Sequence, residues 1–235
     1  MPEPTALVTG ASRGIGAAVA DRLAGEGFRV VVTARDRAAA QRVVDRLPGQ
    51  GHLPHALDVT VPESVAAAVE GLQSLDVVVS NAAAYVDWGE TVLSADLHTA
   101  RAVMETNLYG PWQLAQVCVP LLRLSAHPRW VSVASGGGSH GDEAFGLTRR
   151  GGRAASYGIS KAAALALTST LAAEVVDTPI LVNAVCPGLT ATFEGAEQMG
   201  ARPIEAGADS VMWAVLLPDD GPRGGFFRDG EPMPW

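Results

Sequence analysis

The chain has 235 residues, of which 48% are hydrophobic, and its formal net charge is -8. This length predicts one α/β domain, residues 1–235, with a substantial buried core. The acidic balance and scattered basic residues exclude a nucleic-acid surface, which needs a basic patch. No apolar run reaches the roughly 20 residues that span a bilayer, and Met1–Pro4 lacks the basic and apolar regions of a signal peptide. We therefore expect a cytoplasmic protein without a membrane partner.

Short β-branched runs alternate along the chain with longer Ala-rich stretches. This alternation is typical of βαβ units. It predicts a Rossmann-type, doubly wound α/β fold with a seven-stranded parallel sheet and helices on both faces, in three layers. The predicted strands are Thr5–Thr9, Arg29–Ala34, His55–Asp58, Asp76–Ser80, Arg129–Ser135, Ile180–Cys186 and Gly225–Arg228. The predicted helices are Ile15–Glu26, Arg37–Leu47, Pro62–Leu72, His98–Leu124, Ala155–Val176 and Pro203–Leu217.

A glycine-rich turn, Thr9-Gly10-Ala11-Ser12-Arg13-Gly14-Ile15-Gly16, follows the first predicted strand and opens the first helix. Glycine allows a tight turn and a close approach of the backbone to a pyrophosphate, and the helix N-terminus adds donors and partial positive charge. The spacing is GxxxGxG and not the GxGxxG dinucleotide fingerprint. The turn predicts a phosphate site by its context, and an ordinary tight connection is the alternative.

Tyr157 and Lys161 lie one turn apart near the start of a predicted helix, so the phenol and the ammonium group share one helix face. A free Tyr has a pKa of about 10 and is a poor acid or base at neutral pH unless a positive charge stabilises its phenolate. Lys161 supplies that charge. Such a pair is common by chance, and it predicts proton transfer only together with the glycine-rich turn.

The sequence of this turn and the Tyr-x-x-x-Lys pair resemble the motifs of the classical short-chain dehydrogenase/reductase family. The resemblance extends over nearly the whole chain. Asp58-Val59 resembles the family's adenine-contacting pair, Asn81-Ala82-Ala83 its Asn-Ala-Gly segment, and Pro187-Gly188 its nicotinamide-side loop. Ala83 departs from the family's Gly. The cofactor-binding residues that the resemblance implies are Gly10, Ser12, Arg13, Gly14, Ile15, Gly16, Arg35, Asp58, Val59, Asn81, Ala82, Ala83, Tyr157, Lys161, Pro187, Gly188, Thr190 and Thr192.

The end of the second predicted strand favours NADP(H) as the cofactor. In the family an acidic residue just before Arg35 marks NAD users, whereas Ala34 leaves room for the 2′-phosphate. Arg13 and Arg35 could clamp that phosphate from two sides. Asp36 could in principle reach a ribose hydroxyl group, but its more local role is the N-cap of the following helix.

The family's third catalytic residue is a Ser at the carboxyl end of the fifth strand, the edge where α/β proteins place ligands. Alternation places Ser132 within that strand and Ser135 at its end, so we predict Ser135, with Ser139 as a substitute. The resemblance implies that Ser135 binds the substrate oxygen and Tyr157 delivers its proton.

The resemblance also implies roles for Lys161 and Asn107, and it indicates an inserted segment before Tyr157. Lys161 would hold the nicotinamide ribose, and Asn107, at the position of the family's active-site Asn, would organise a water-linked proton path. The interval from Ser135 to Tyr157 resembles that of carbonyl-reductase-like branches with an insertion. This insertion, residues 136–154, could overhang the substrate, cover a dimerisation helix or be a solvated loop. A homo-oligomer, dimer or tetramer, and a monomer both stay open.

We therefore predict an NADP(H)-dependent oxidoreductase of the ketone or carbonyl reductase type. It transfers hydride between nicotinamide and a carbonyl or alcohol of a small apolar or aromatic molecule. Aromatic and apolar residues in the loops 84–91 and 191–202 favour such a substrate. An imine or iminium reductase and a non-catalytic NADP-binding regulator are the alternatives. Loops set specificity, so the substrate itself is not named by the sequence.

Two other kinds of site have little support. Gly137-Gly138-Ser139-His140-Gly141 fits the GxSxG nucleophile elbow of hydrolases, but the strand-to-helix turn that an elbow needs is not predicted there. The histidines show no HExxH pair and no zinc-ligand spacing, so no metal site is expected. Cys118 and Cys186 lie in apolar sequence and are predicted to be buried structural thiols.

Overall fold

A computed structural model describes residues 3–235. Met1 and Pro2, on which part of the signal-peptide expectation falls, lie outside the described residues. The strands are β1 (Thr5–Val8), β2 (Arg29–Ala34), β3 (Leu53–Ala56), β4 (Val77–Ser80), β5 (Arg129–Val133), β6 (Leu181–Val185), β7 (Phe226–Arg228) and β8 (Glu231–Pro232). The α-helices are α1 (Gly14–Gly25), α2 (Arg37–Val44), α3 (Pro62–Ala67), α4 (Leu97–Met104), α5 (Gly110–Leu122), α6 (Ala155–Glu174) and α7 (Ile204–Val215).

All eight strands form one sheet in the order β3-β2-β1-β4-β5-β6-β7-β8. Strands β1 to β7 pair in parallel, and β8 pairs with β7 in antiparallel orientation. The Rossmann-type fold is therefore confirmed, but the predicted seven-stranded, all-parallel sheet is wrong at its edge. The hairpin between β7 and β8 turns at Asp229 and Gly230, both at positive φ, as a two-residue Asp-Gly turn requires. Its second strand is too short for an alternating pattern.

The two faces of the sheet carry separate cores, as alternation along buried strands dictates. Ala6 and Val8 of β1 face a cluster that includes residues of α1, α2 and α7. Leu7, between them, faces a cluster that includes residues of α3, α5 and α6. The strand order reverses between β1 and β4. The carboxyl ends of these strands therefore flank a crevice, where open α/β sheets bind ligands.

Several predicted boundaries are wrong. Strand β3 lies at Leu53–Ala56, earlier than predicted, because Pro54 is tolerated on this edge strand. The predicted helix His98–Leu124 starts one residue earlier and is divided by a π-helical turn, Glu105–Tyr109. Strand β5 ends at Val133, before Ser135. Within the part of the chain that the structure describes, no helix is long and apolar enough to cross a membrane.

Candidate active site

The glycine-rich turn lies at the carboxyl end of β1, against the segment that follows β4. Gly10 has a φ of +64°, and a Cβ atom there would lie 2.9 Å from the Ala82 Cα atom. A Cβ atom on Gly16 would lie 2.5 Å from Asn81 Nδ2 and 2.6 Å from the Gly10 carbonyl oxygen. Asn81 Nδ2 donates to the carbonyl oxygens of Thr9 (2.8 Å) and Gly10 (3.2 Å). The turn is thus held too tightly for side chains at these glycines.

A crevice of about 1120 Å³ lies beside this turn. The predicted cofactor residues that line it are Gly10, Ser12, Arg13, Gly14, Ile15, Gly16, Arg35, Asp58, Val59, Asn81, Ala82, Ala83 and Thr192. Helix α1 begins at Gly14, so its free N–H groups lie at this crevice. A side-chain-free turn at a helix N-terminus fits the pyrophosphate of a dinucleotide.

Two arginines, Arg13 and Arg35, line the crevice together with the acidic residues Asp58, Glu105 and Glu194. Neither Arg13 nor Arg35 has an ion-pair partner among residues 3–235. Asp36 caps α2 by accepting from the Ala38 N–H group at 3.0 Å, and it does not line the crevice. Its predicted capping role is therefore confirmed. Hydrogen bonds from Thr60, with the charge of Arg35, lower the pKa of Asp58.

Ser135, Tyr157 and Lys161 line a second cavity, of about 190 Å³. Ser135 lies two residues after β5 and caps a 3₁₀ turn, Gly136–Gly138, by accepting from the Gly137 N–H group at 3.1 Å. Lys161 Nζ lies 5.8 Å from the Tyr157 ring centroid and donates to the Val133 carbonyl oxygen at 3.0 Å. The structure thus brings three of the four predicted catalytic side chains together, and the fourth, Asn107, does not line this cavity.

The glycine run after β5 allows this convergence, because it lets α6 approach the strand end. A Cβ atom on Gly138 would lie 2.6 Å from backbone atoms of Lys161 and Ala162. One on Gly158, in α6, would lie 2.9 Å from the Gly137 carbonyl oxygen. Side chains at either position would push Tyr157 away from the strand end.

Burial shifts the pKa of both members of the Tyr-Lys pair. It raises the pKa of Tyr157 well above its ordinary value, and the hydrogen-bonding influence of Ser135 opposes this rise. Burial lowers the pKa of Lys161 to about 8. At neutral pH the phenol is therefore protonated and the lysine is still charged. Lys161 is also the only lysine in the chain.

The other two serine candidates lie elsewhere. The Ser132 hydroxyl group accepts from Trp130 Nε1 (2.9 Å) and from the Thr168 hydroxyl group (2.8 Å). Ser139 is fully buried and donates to the Pro234 carbonyl oxygen at 2.7 Å. No helix follows Ser139 directly, so the nucleophile-elbow geometry does not form.

Asn107 lies in the π-helical turn, buried beside the cavity wall. Its Oδ1 atom accepts from the Ala84 N–H group (2.8 Å), while Nδ2 donates to the Ala84 carbonyl oxygen (3.0 Å) and to the Ser160 hydroxyl group (2.9 Å). The side chain thus joins the loop after β4 to α6. It does not line either cavity, and the proton path implied for it stays a prediction.

Three loops surround the Tyr157 ring. Tyr85 stacks on it with ring centroids 5.5 Å apart, and Trp88 meets it edge-on at 5.4 Å. Phe193, from the loop 191–202, lies 6.4 Å from Trp88. Phe145, from the insertion 136–154, lines the same cavity. The insertion therefore overhangs the site, and through Gly138 it also packs on α6.

The nicotinamide-side segment predicted after β6 also lines the second cavity, through Pro187, Gly188, Thr190 and Thr192. The Thr190 hydroxyl group donates to the Pro187 carbonyl oxygen at 3.1 Å, which closes this loop on itself. Thr192 lines both cavities. The two cavities therefore share a wall at this loop.

Four residues were not predicted from the sequence in these roles: Cys186 and Arg228, which line the second cavity, and Asp142 and Glu90, which support its wall. Cys186, predicted as structural, is buried as expected but lines the cavity, whereas Cys118 is a core residue. Arg228 also lines it and pairs with Asp142 at 2.9 Å, across 86 residues of sequence. Glu90 accepts from the Ser156 N–H group (2.8 Å) and from its hydroxyl group, which caps α6. None of these contacts has a local sequence signal.

Known proteins share this architecture. The sequence model of the short chain dehydrogenase family matches residues 4–201. The 3-oxoacyl-(acyl-carrier-protein) reductase of Escherichia coli (strain K12) is 32% identical over 80% of this chain and 73% of its own. The structure of salutaridine reductase from Papaver somniferum has a TM-score of 0.77 at 26% identity, covering 96% of this chain and 99% of that chain. An NADPH-bound carbonyl reductase from chicken fatty liver, at 24% identity, shares the fold with a TM-score of 0.85 over 99% of this chain and 94% of that chain.

The fold and the site together define a Rossmann-type oxidoreductase that uses a nicotinamide cofactor. The match over residues 4–201 shows that the chain belongs to the short chain dehydrogenase family. The resemblance drawn from the glycine-rich turn and from Tyr157 and Lys161 is thereby confirmed.

Proposed function

We propose that residues 1–235 form a single NADP(H)-dependent domain that reduces the carbonyl group of a small apolar or aromatic molecule. One observation carries the proposal. Ser135, Tyr157 and Lys161 line one cavity, and this cavity shares Asn81 and Thr192 with the crevice of the glycine-rich turn. A substrate in the first and a cofactor in the second would therefore be in contact.

The chemistry divides between cofactor and protein. The nicotinamide, when bound, supplies a hydride to the carbonyl carbon. Ser135 donates a hydrogen bond to the carbonyl oxygen, and Tyr157 transfers its phenolic proton to that oxygen. The charge of Lys161, held by the Val133 carbonyl oxygen at 3.0 Å, stabilises the phenolate that remains. Oxidation of the alcohol reverses these steps.

Burial suits Tyr157 to the reductive direction. Its raised pKa keeps the phenol protonated at neutral pH, which is the form that a proton donor needs. The stacked Tyr85 ring and the edge of Trp88 fix the orientation of the phenol. Asn107 acts as a positioning residue in this scheme, because its amide ties α6 to the loop that carries Tyr85.

NADP(H) is favoured over NAD(H) by two arginines that line the crevice. Arg13 and Arg35 line it without ion-pair partners among the described residues. Asp36, the acidic side chain that could have bound a ribose hydroxyl group, is engaged as the cap of α2. Two guanidinium groups fit a 2′-phosphate by charge-assisted hydrogen bonds.

The cofactor assignment is tested by calorimetric titration of NADPH and NADH into wild type, Arg35→Ala and Arg37→Ala. Arg37 is an exposed arginine that does not line the crevice, and it serves as the matched control. We expect Arg35→Ala to weaken NADPH binding by about tenfold or more, without an equal effect on NADH. Equal wild-type affinities for the two nucleotides would overturn the assignment.

The reaction is tested by following NADPH consumption with a panel of ketones, aldehydes, quinones and cyclic imines. Turnover of carbonyl compounds supports the proposal. Turnover of cyclic imines alone would contradict the substrate class, and firm NADPH binding with no turnover on any compound would contradict the enzymatic role.

A further inference from the structure

The wall of the second cavity has an unusual charge balance for an acidic protein. The chain carries 25 Asp and Glu residues against 17 Lys and Arg residues. The described residues that line this cavity nevertheless include Arg150, Lys161 and Arg228 but no Asp or Glu. The cavity is therefore positive where the protein as a whole is negative.

Two of these three cations are already engaged by the protein. Arg228 is paired with the buried carboxylate of Asp142 at 2.9 Å. Lys161 donates to the Val133 carbonyl oxygen and is assigned to the reaction. Arg150 has no ion-pair partner among residues 3–235. Lys161 and Arg150 thus both carry a charge that no carboxylate among these residues balances. Of the two, only Arg150 has no part in the reaction.

The insertion places Arg150 over the cavity by an uncommon backbone conformation. Arg150 has a φ of +53°, and Gly151 and Gly152 follow it at +65° and +69°. A non-glycine residue in this region costs about 1 to 2 kcal/mol, and such residues concentrate at functional sites. The guanidinium carbon lies 5.6 Å from the centroid of the Phe145 ring, and one Nη atom donates to the Phe145 carbonyl oxygen at 3.3 Å. Arg149 and Arg153, its neighbours in the insertion, do not line the cavity.

We propose that Arg150 binds a carboxylate on the substrate, so that the enzyme acts on carbonyl compounds that combine an acid group with an apolar or aromatic body. This inference rests on the proposed function and narrows its substrate class. The guanidinium group offers paired donors that match a carboxylate, while Tyr85, Trp88 and Phe193 supply the apolar wall. A carboxylate carries the single negative charge that one guanidinium group balances, whereas a phosphoryl group carries close to two at neutral pH.

The test measures binding and turnover on matched pairs of ligands. The probes are phenylglyoxylate, benzoylacetate and 3-benzoylpropionate with their methyl esters, which vary the distance from carbonyl to acid. The proteins are wild type, Arg150→Gln and the control Arg149→Gln. Affinity is measured by calorimetric titration in the presence of NADP⁺, and turnover by NADPH consumption.

We expect wild type to bind at least one acid about tenfold or more tightly than its ester, with a preference that falls as salt is added. Arg150→Gln should lose this preference, and Arg149→Gln should retain it. Equal binding of acid and ester, or a preference that survives in Arg150→Gln, would overturn the inference. A stronger preference for the corresponding phosphonate would overturn the choice of carboxylate.

The two proposals fail in different ways. Reduction of the esters without preference for the acids would leave the reductase standing and remove the role of Arg150. Selective binding of the acids, lost in Arg150→Gln but without turnover of any carbonyl compound, would support the anion site and remove the reductase.

Discussion

Lys161→Met is expected to change how the stability of the protein depends on pH. Burial lowers the pKa of Lys161 to about 8 in the folded protein, against about 10.4 in an unfolded chain. Between these values the unfolded state binds more protons, so the stability of wild type rises with pH in this window. Below pH 8 both states are largely protonated, and the full cost of the buried charge remains. Lys161→Met has no ionisable group at this position, so its stability lacks this dependence on pH.

The size of this change in stability follows from the difference in proton binding between the folded and unfolded states. Between pH 8 and pH 10, loss of the proton should stabilise wild type by about 2 kcal/mol relative to Lys161→Met. The variant also loses the hydrogen bond to the Val133 carbonyl oxygen. The part of that bond that depends on the charge of Lys161 is already contained in the pKa of about 8, so it adds nothing further to the difference between the two pH values. Urea unfolding of both proteins at pH 8 and pH 10, without nucleotide, measures the difference.

The chain offers a second, direct readout because Lys161 is its only lysine. Protein labelled with ¹³C at lysine Cε should give a single lysine Cε signal, whose titration reports the pKa of this side chain. A midpoint near 8 agrees with a desolvated ammonium group. A midpoint above 10, with the same stability difference between the two proteins at both pH values, would refute the reasoning.

Two further substitutions test the local architecture. Gly16→Ala should destabilise the protein by about 1 to 3 kcal/mol and abolish nucleotide binding, because its Cβ atom would lie 2.5 Å from Asn81 Nδ2. The control is Gly25→Ala in the same helix, where a Cβ atom meets nothing within 4 Å. This control should leave stability unchanged or raise it. If thermal unfolding and NADPH titration did not distinguish the two, the tight-turn argument would fail. Glu90→Ala should cost about 1 kcal/mol in urea unfolding, as the loss of a helix cap does, and Glu90→Gln, which retains an acceptor for the Ser156 N–H group, should cost less. Equal losses for the two Glu90 variants would count against the capping role.

Much of the sheet could be predicted from the sequence because buried parallel strands are continuous apolar runs. β1, β2, β4 and β6 were located in this way. Edge elements follow other rules. β3 contains Pro54 and is only half-buried, so it lacks the pattern of a buried strand. The two-residue strand Glu231–Pro232 was missed although Asp229-Gly230 is a hairpin signal.

In the candidate site, likewise, motifs within contiguous sequence could be predicted and contacts between distant residues could not. The glycine-rich turn and the pair Tyr157 and Lys161 lie in contiguous sequence, where spacing and family resemblance both apply. The Arg228–Asp142 pair and the Glu90 cap join residues 86 and 66 positions apart. Such contacts depend on how the insertion and the loops fold back over the sheet edge, which no local pattern encodes.

The central claim is that Tyr157 is the proton donor, and single-turnover reduction of a carbonyl substrate by bound NADPH in Tyr157→Phe tests it most directly. Phe keeps the ring that packs on Tyr85 and Trp88 and removes only the hydroxyl group. Tyr109→Phe, at a half-exposed tyrosine outside both cavities, is the matched control. We predict that Tyr157→Phe lowers the rate by about 100-fold or more while NADPH still binds, and that Tyr109→Phe reduces at the wild-type rate. A wild-type rate in Tyr157→Phe would contradict the account.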